Sequence, residues 1–180
     1  MIEIMFNKIE YYLKFMASRE SQFVAGQALF HLSDPVVVVH FIKQGRVHLL
    51  RYQSDGAVLL LQRAGLGSVL AEASLYSDVY HCDAVAIEPT VTLTIAKADL
   101  RMALLQDPEF SEVWIKHLAR ELQKARLNAE ILSLKTVAQR LDAWMACNDA
   151  ALPDKGEWRN LANQIGVSPE ALYREIAKRK

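Results

Sequence analysis

Apolar residues follow different rhythms in different parts of this chain. Between Asp107 and Leu134, the residues Ile115, Leu118, Leu122, Ala125, Ala129 and Leu132 recur at alternating intervals of three and four. That is the seam of a heptad helix, and it predicts a homodimer spine over residues 107–134. Asp107 is placed to cap the helix, Pro108 suits its first position, and Glu109 sits at the positive end of the dipole. In this register Glu121 is a g position and Arg126 the next e, the pair that meets across a parallel two-fold seam. A run of this length would extend about 40 Å at 1.5 Å per residue.

Upstream the texture is shorter. Ile4, Met5, Ile9, Tyr12, Leu13 and Met16 fall at helical spacing and predict an amphipathic helix within residues 1–19. From Gln22 onward, short runs rich in Val, Leu and Phe are broken by Gly26, Ser33-Asp34-Pro35, Gly45, Asp55-Gly56 and Gly65/Gly67. Such spacing predicts an antiparallel sandwich or barrel of roughly seven or eight strands. Residues 36–42 and 58–62 read as buried strands. Residues 46–52 and 57–61 flank Asp55-Gly56 as a hairpin, and residues 91–95 close the set. Residues 98–105 read as a short helix leading into the spine.

Downstream, residues 136–148 form another amphipathic helix carrying Val137, Leu141, Trp144 and Met145, followed by a loop over 150–156. Residues 157–165 then lead through Gly166-Val167 to a last helix with Ser168 as N-cap and Pro169 at its first position. Two short helices joined by a Gly-containing turn match either a helix-turn-helix DNA reader or a plain helical hairpin.

Composition narrows the class. Hydrophobic content of 52% supports a real core, and no apolar stretch reaches membrane-spanning length. No signal-peptide pattern opens the chain, and Cys82 and Cys147 form no metal-type spacing, so a cytoplasmic, reduced protein is the expectation. Two cysteines cannot hold a four-cysteine iron–sulfur cluster within one chain. The formal net charge is zero, yet from Lys116 to Arg140 six Lys and Arg face two Glu, and the chain ends on Lys178, Arg179 and Lys180. That basic rear half fits nucleic acid better than membrane. No nucleophile–base pattern, metal motif or phosphate loop points to an enzyme.

The order of β-rich half, long helix and helix-turn-helix resembles the Crp/Fnr superfamily of bacterial transcription regulators. Phe23-x-x-Gly26-x-x-Leu29-Phe30, Asp34-Pro35 and Ile42-x-x-Gly45-x-Val47 match the family's opening strands. Gly67 and Glu72 match its phosphate-binding cassette, Ala84-x-Ala86 the cassette's end, and Ser168-x-Glu170-x-x-x-Arg174 its recognition helix. The resemblance implies an α+β fold: an N-terminal antiparallel β-roll of cyclic-nucleotide-binding type over 1–106, a dimerisation helix over 107–134, and a small helical helix-turn-helix domain over 135–180. It also implies double-stranded DNA, a second copy of the chain, RNA polymerase and a small effector as partners. The hairpin wing that follows the family's recognition helix has no counterpart before Lys180, so a wingless reading domain is the expectation.

The cassette departs from the family. Nucleotide-binding members hold the cyclic phosphate with an Arg and a following Ser or Thr, because the anion wants a guanidinium fork and a hydroxyl. Those positions here are Cys82 and Asp83, and the Gly before Glu72 is Ala71. The pair that faces the adenine aligns with Ala125 and Arg126. Losing a charge-assisted bond costs roughly 1.5–3 kcal/mol, and a carboxylate repels the phosphate further. A degenerate pocket of Glu72, Ala71, Cys82, Asp83, Ala84 and Arg126 with no cyclic AMP is therefore expected, and no cofactor or metal is assigned. The alternative is a haem or metal held at His81 and Cys82, against which successive strand residues point to opposite faces. His31, His40, His48 and His117 read as surface or packing residues.

At the other end, Glu170 and Arg174 are four apart and share a helix face. A Glu accepts from cytosine N4, and an Arg bonds guanine O6 and N7. Tyr173, Arg159, Lys178 and Arg179 are candidates for phosphates. The expected function is a DNA-binding regulator; the competing one is an effector-sensing or protein-interaction module that no longer reads DNA.

Overall fold

A computed structural model describes residues 2–16, 18–148 and 151–179, the side chains of residues 2–7 and 18 excepted. The side chains of the expected apolar positions Ile4 and Met5 are therefore not described, and the terminal Lys180 and Ala150 of the expected loop lie outside the described residues. Packing divides the chain into residues 1–116 and 117–180.

The first unit opens with helix α1 (Ile2–Phe15), whose Ile9 and Leu13 are buried as the helical spacing requires. Eight strands follow: β1 (Ser18–Phe23), β2 (Ala28–Phe30), β3 (Val38–Gln44), β4 (Val47–Tyr52), β5 (Val58–Ala64), β6 (Val69–Leu70), β7 (Asp83–Ala86) and β8 (Thr90–Ala96). They make two antiparallel sheets, ordered β1-β8-β3-β6 and β2-β7-β4-β5. A buried cluster including Phe30, Val36, Ile42, Val47, Leu49, Leu70, Tyr80, Cys82 and Ala84 forms the core of this half. Within it Phe30 and Tyr80 stack with centroids 3.9 Å apart, and Tyr80 Oη donates to Val38 O at 2.9 Å. The β3–β4 connection needs Gly45. Its φ is +89°, and a Cβ there would lie 2.5 Å from Pro89 O and 2.7 Å from Thr90 Cα.

One strand corrects the sequence expectation. The 58–62 run is not buried: Val58, Leu59 and Leu61 are about half exposed. The reason is topological, since β5 is an edge strand paired only to β4. The hairpin at Asp55-Gly56 is present, with Ala57 N donating to Asp55 Oδ1 at 2.9 Å.

Helix α2 (Lys97–Gln106) ends and α3 (Pro108–Ser133) begins on the same residue. Asp107 N donates to Ala103 O at 2.9 Å, while Asp107 Oδ1 accepts from Phe110 N at 3.0 Å. The 26 residues of α3 rise about 39 Å, and the division between the units falls inside this helix rather than at its ends. In the second unit α4 (Val137–Ala146) starts on a capping box of Thr136 and Gln139. A single-turn 3₁₀ segment then leads into α5 (Trp158–Gln164), and α6 (Pro169–Lys178) follows on Ser168, whose Oγ accepts from Ala171 N at 3.2 Å. Ile131, Leu141, Leu161, Ala162, Ile165, Leu172 and Ile176 form its core.

Candidate functional site

The cassette residues gather at a pocket of about 40 Å³ lined by Phe30, Leu49, Gln62, Ala71, Glu72, Ala73, Ser74, His81 and Cys82. That is room for a few waters rather than a nucleotide. Ala71 stands at the pocket in the left-handed region, φ +69° and ψ +13°. The backbone turn of a glycine position is thus kept by an alanine, at a cost of about 1 kcal/mol.

The expected pocket residues do not all face one point. Asp83 and Ala84 are not among the lining residues. Asp83 instead turns to His31, with its Oδ1 3.0 Å from His31 Nδ1. Ala84 is fully buried in the core. Arg126 belongs to the other unit, on an exposed part of α3. Nor do His81, Cys82 and Asp83 form a common ligand set. His81 Nδ1 lies 2.8 Å from Ser74 Oγ, and Cys82 is 2% exposed within the core cluster. Burial pushes the Cys82 thiol up from its usual pKa, so it holds its proton and makes a poor metal donor. Among the described residues no group of three or more His, Cys, Asp and Glu could hold a metal ion.

Sequence reading missed one cation. Arg51, on β4, donates from Nη2 to His81 O at 2.8 Å, and its charge opposes the rise of the Cys82 pKa. A guanidinium stands near the cassette, reached from a neighbouring strand and spent on a backbone carbonyl. The residues present do not fit a cyclic phosphate held in the family's manner.

At the other end the arrangement is ordered outward. Helix α6 buries Leu172 and Ile176 and exposes Glu170, Tyr173, Arg174 and Lys178 along one face. The Glu170 carboxyl is held below its usual pKa, first by its own backbone N–H at the helix start, then by the Ser168 hydroxyl, with the charges of Arg159 and Arg174 adding. Glu170 and Arg174 are exposed on α6, and Arg159 is exposed on α5. Tyr173 packs its ring 5.7 Å from that of Trp158, the first residue of α5. Arg179 does not join this face. Its guanidinium bonds Asp142 Oδ1 at 2.5 Å, Glu175 Oε1 at 2.9 Å and Ala138 O at 3.2 Å, so it ties α6 to α4. Any phosphate contact by Arg179 would compete with these three bonds.

The seam residues of α3 are open. Ile115 is 64%, Leu122 51% and Leu132 47% exposed, Leu118 is partly buried, and Ala125 and Ala129 are exposed. Glu121 pairs within the helix to Lys124 at 2.7 Å.

The model of the cyclic nucleotide-binding domain matches residues 20–107. Over these residues the chain is similar to cyclic nucleotide-binding domains. It is 25% identical over 138 residues to the global nitrogen regulator of Nostoc, covering 73% of this chain and 61% of that protein. It is 26% identical over 117 residues to the cyclic AMP receptor protein of Thermus thermophilus, covering 64% and 54%. The chain thus spans less than two thirds of either relative. FixK2 from Bradyrhizobium japonicum shares the fold with a TM-score of 0.72 at 20% identity, over 91% of this chain and 84% of that one. The c-di-GMP-responsive regulator CLP of Xanthomonas campestris does so at 0.67 and 19%, over 96% and 90%. The likeness to FixK2 and CLP extends over both the β-rich half and the C-terminal helices.

Proposed function

We propose that the chain is a DNA-binding transcription regulator of Crp/Fnr type, a cytoplasmic homodimer paired along α3, that reads an inverted-repeat operator and is not gated by cyclic AMP. The observation that carries this reading is the exposed Glu170 and Arg174 on a helix that starts on a Ser168 cap, with Arg159 exposed on the helix before it. Side chains at the first turn of such a helix reach base edges in the major groove, and a carboxylate with a guanidinium supplies complementary reading groups. The open Ile115–Leu118–Leu122 stripe supports pairing, because an exposed apolar seam on a helix this long is stabilised by a second copy. Likeness to proteins named as a global nitrogen regulator and a probable transcriptional regulator supports a regulator rather than an enzyme. The absence of a guanidinium at residue 82, the size of the pocket and the burial of Cys82 support independence from cyclic AMP.

Selection of genomic DNA by the purified protein tests the reading. Recovered sequences should share an inverted repeat with half-sites about 34 Å apart. Recovery of no repeat would turn the assignment toward an interaction or effector-sensing module.

A further inference from the structure

Four backbone carbonyls in the C-terminal unit are gathered by one side chain. Arg140 belongs to α4, yet its guanidinium bonds leave the helix. Nε donates to Leu134 O at 2.8 Å and Nη2 to Leu132 O at 3.0 Å. Nη1 donates to Ile165 O at 3.1 Å and to Gly166 O at 2.8 Å. Leu132 and Leu134 stand at the C-terminal end of α3, where the last carbonyls have no partner within the helix. Ile165 and Gly166 are the turn between α5 and α6. A planar fork with five donors suits this task, because it can satisfy two diverging pairs of acceptors in one fixed plane. Lysine could not.

A separate observation marks the same junction. Gly166 has φ +66°, and a Cβ there would lie 2.6 Å from Leu132 Cδ2 and 3.2 Å from Arg140 Nη1. The turn therefore lies against the side chains of Leu132 and Arg140, and its left-handed backbone favours glycine. Leu132, read from the heptads as a seam residue, spends part of its surface here. Arg179 offers a contrast within the same unit, since its bonds tie α6 to α4 and never reach α3.

We propose that Arg140 is a positioning residue for DNA reading: it clasps the turn of the helix-turn-helix to the end of the dimer helix. Its consequence for DNA rests on the reading given under Proposed function. With the clasp closed, the two α6 helices of a dimer hold one separation and one rotation. Each base pair added between half-sites moves one of them about 3.4 Å and rotates it by about 35°, so a clasped dimer tolerates a single spacing.

Arg140→Gln in the full chain removes the fork and keeps a polar side chain. Hydrogen exchange gives a readout free of DNA. The amides of Leu134 and Val167, bonded to Ile131 O and Ala162 O, should exchange about tenfold faster, while those within α4 and α6 hold their rates. A merely stabilising arginine would instead speed every amide of the unit by one factor, and that result overturns the clasp. On DNA, the wild-type protein should lose about tenfold in affinity when one base pair is inserted between the half-sites, and Arg140→Gln about threefold or less. Arg179→Gln should lower the melting temperature and leave the spacer penalty at its wild-type size. Arg140→Lys, which keeps the charge without the fork, should fold and fall between wild type and Arg140→Gln in both readouts. A full spacer penalty in both Arg140 variants would also overturn the proposal. If the wild-type protein selects no repeat, the DNA reading falls, and the exchange pattern alone decides whether the clasp exists.

Discussion

The two ends of this molecule treat their polar residues in opposite ways. At α6 the groups that could read DNA are exposed, capped and mutually charged: Ser168 accepts from Ala171 N, and Glu170 sits among its own helix N–H, Arg159 and Arg174. At the cassette the corresponding groups have been drawn into the fold. Cys82 packs in the core, Asp83 turns to His31, and Arg51 bonds the carbonyl of His81. The difference teaches how a binding site fades without the fold fading. A pocket wall can become core, because a small thiol buried among Phe30, Leu49 and Tyr80 contributes packing where an arginine would need a counter-ion. An exposed helix face keeps its charges in water at little cost, so they stay available to a partner.

The comparison can be broken most sharply at Arg174. Arg174→Ala should weaken operator binding by about 1–3 kcal/mol per half-site and relax preference at one base pair, with the melting temperature unchanged, because the residue is exposed and outside the core. A titration that shows equal loss on random DNA would make Arg174 a phosphate contact instead.

The opposite behaviour is expected in the β-rich half, where a buried polar residue should move stability and leave DNA alone. His40 is 3% exposed, its Nδ1 is 3.2 Å from Thr92 Oγ1, and its Nε2 has no hydrogen-bond partner among the described residues. Burial lowers its pKa from 6.5 to about 4. The unfolded chain therefore takes up a proton between these values that the native fold refuses, so stability falls as pH drops from about 6.5 to about 4. The share of His40 in that loss is about 3 kcal/mol. Urea midpoints of wild type and His40→Gln should converge over this window. A gap that stays constant would mean that His40 titrates normally in the native state.

The smallest effect sharpens the account of the pocket. Ala71→Gly should change stability by less than about 1 kcal/mol, because relief of the left-handed backbone is offset by the loss of a buried methyl worth about 0.8 kcal/mol. A loss above about 2 kcal/mol in a chemical melt would show that this methyl fills the site more tightly than the backbone strain costs.

Local chemistry was legible in the sequence. Asp107 before Pro108, Ser168 before Pro169 and Asp55-Gly56 each carry their structure within three or four residues, and each is where the pattern puts it. What depends on register was not. The His31–Asp83 pair and the His40–Thr92 bond each span 52 positions, and only the pairing of β2 with β7 and of β3 with β8 brings them together. The apolar run of β5 reads as buried because composition does not say that a strand lies at an edge. Arg140 and Arg179 look alike among the basic residues of the rear half, and only their acceptors separate a junction clasp and a helix tie from a DNA contact. At the candidate site, Glu72, Ala71 and Cys82 were readable as pocket residues from the cassette match, whereas Arg51 was hidden because it arrives from β4.

The central claim is that the reading head works without a cyclic nucleotide in the pocket. Fluorescence anisotropy of the selected operator, titrated with the protein in the absence and presence of about 1 mM cyclic AMP, tests it most directly. The account expects specific binding in both titrations and a dissociation constant that changes by less than about twofold. Tightening by about tenfold or more, a coupling of about 1.4 kcal/mol, would contradict it and return the pocket to service as a nucleotide switch.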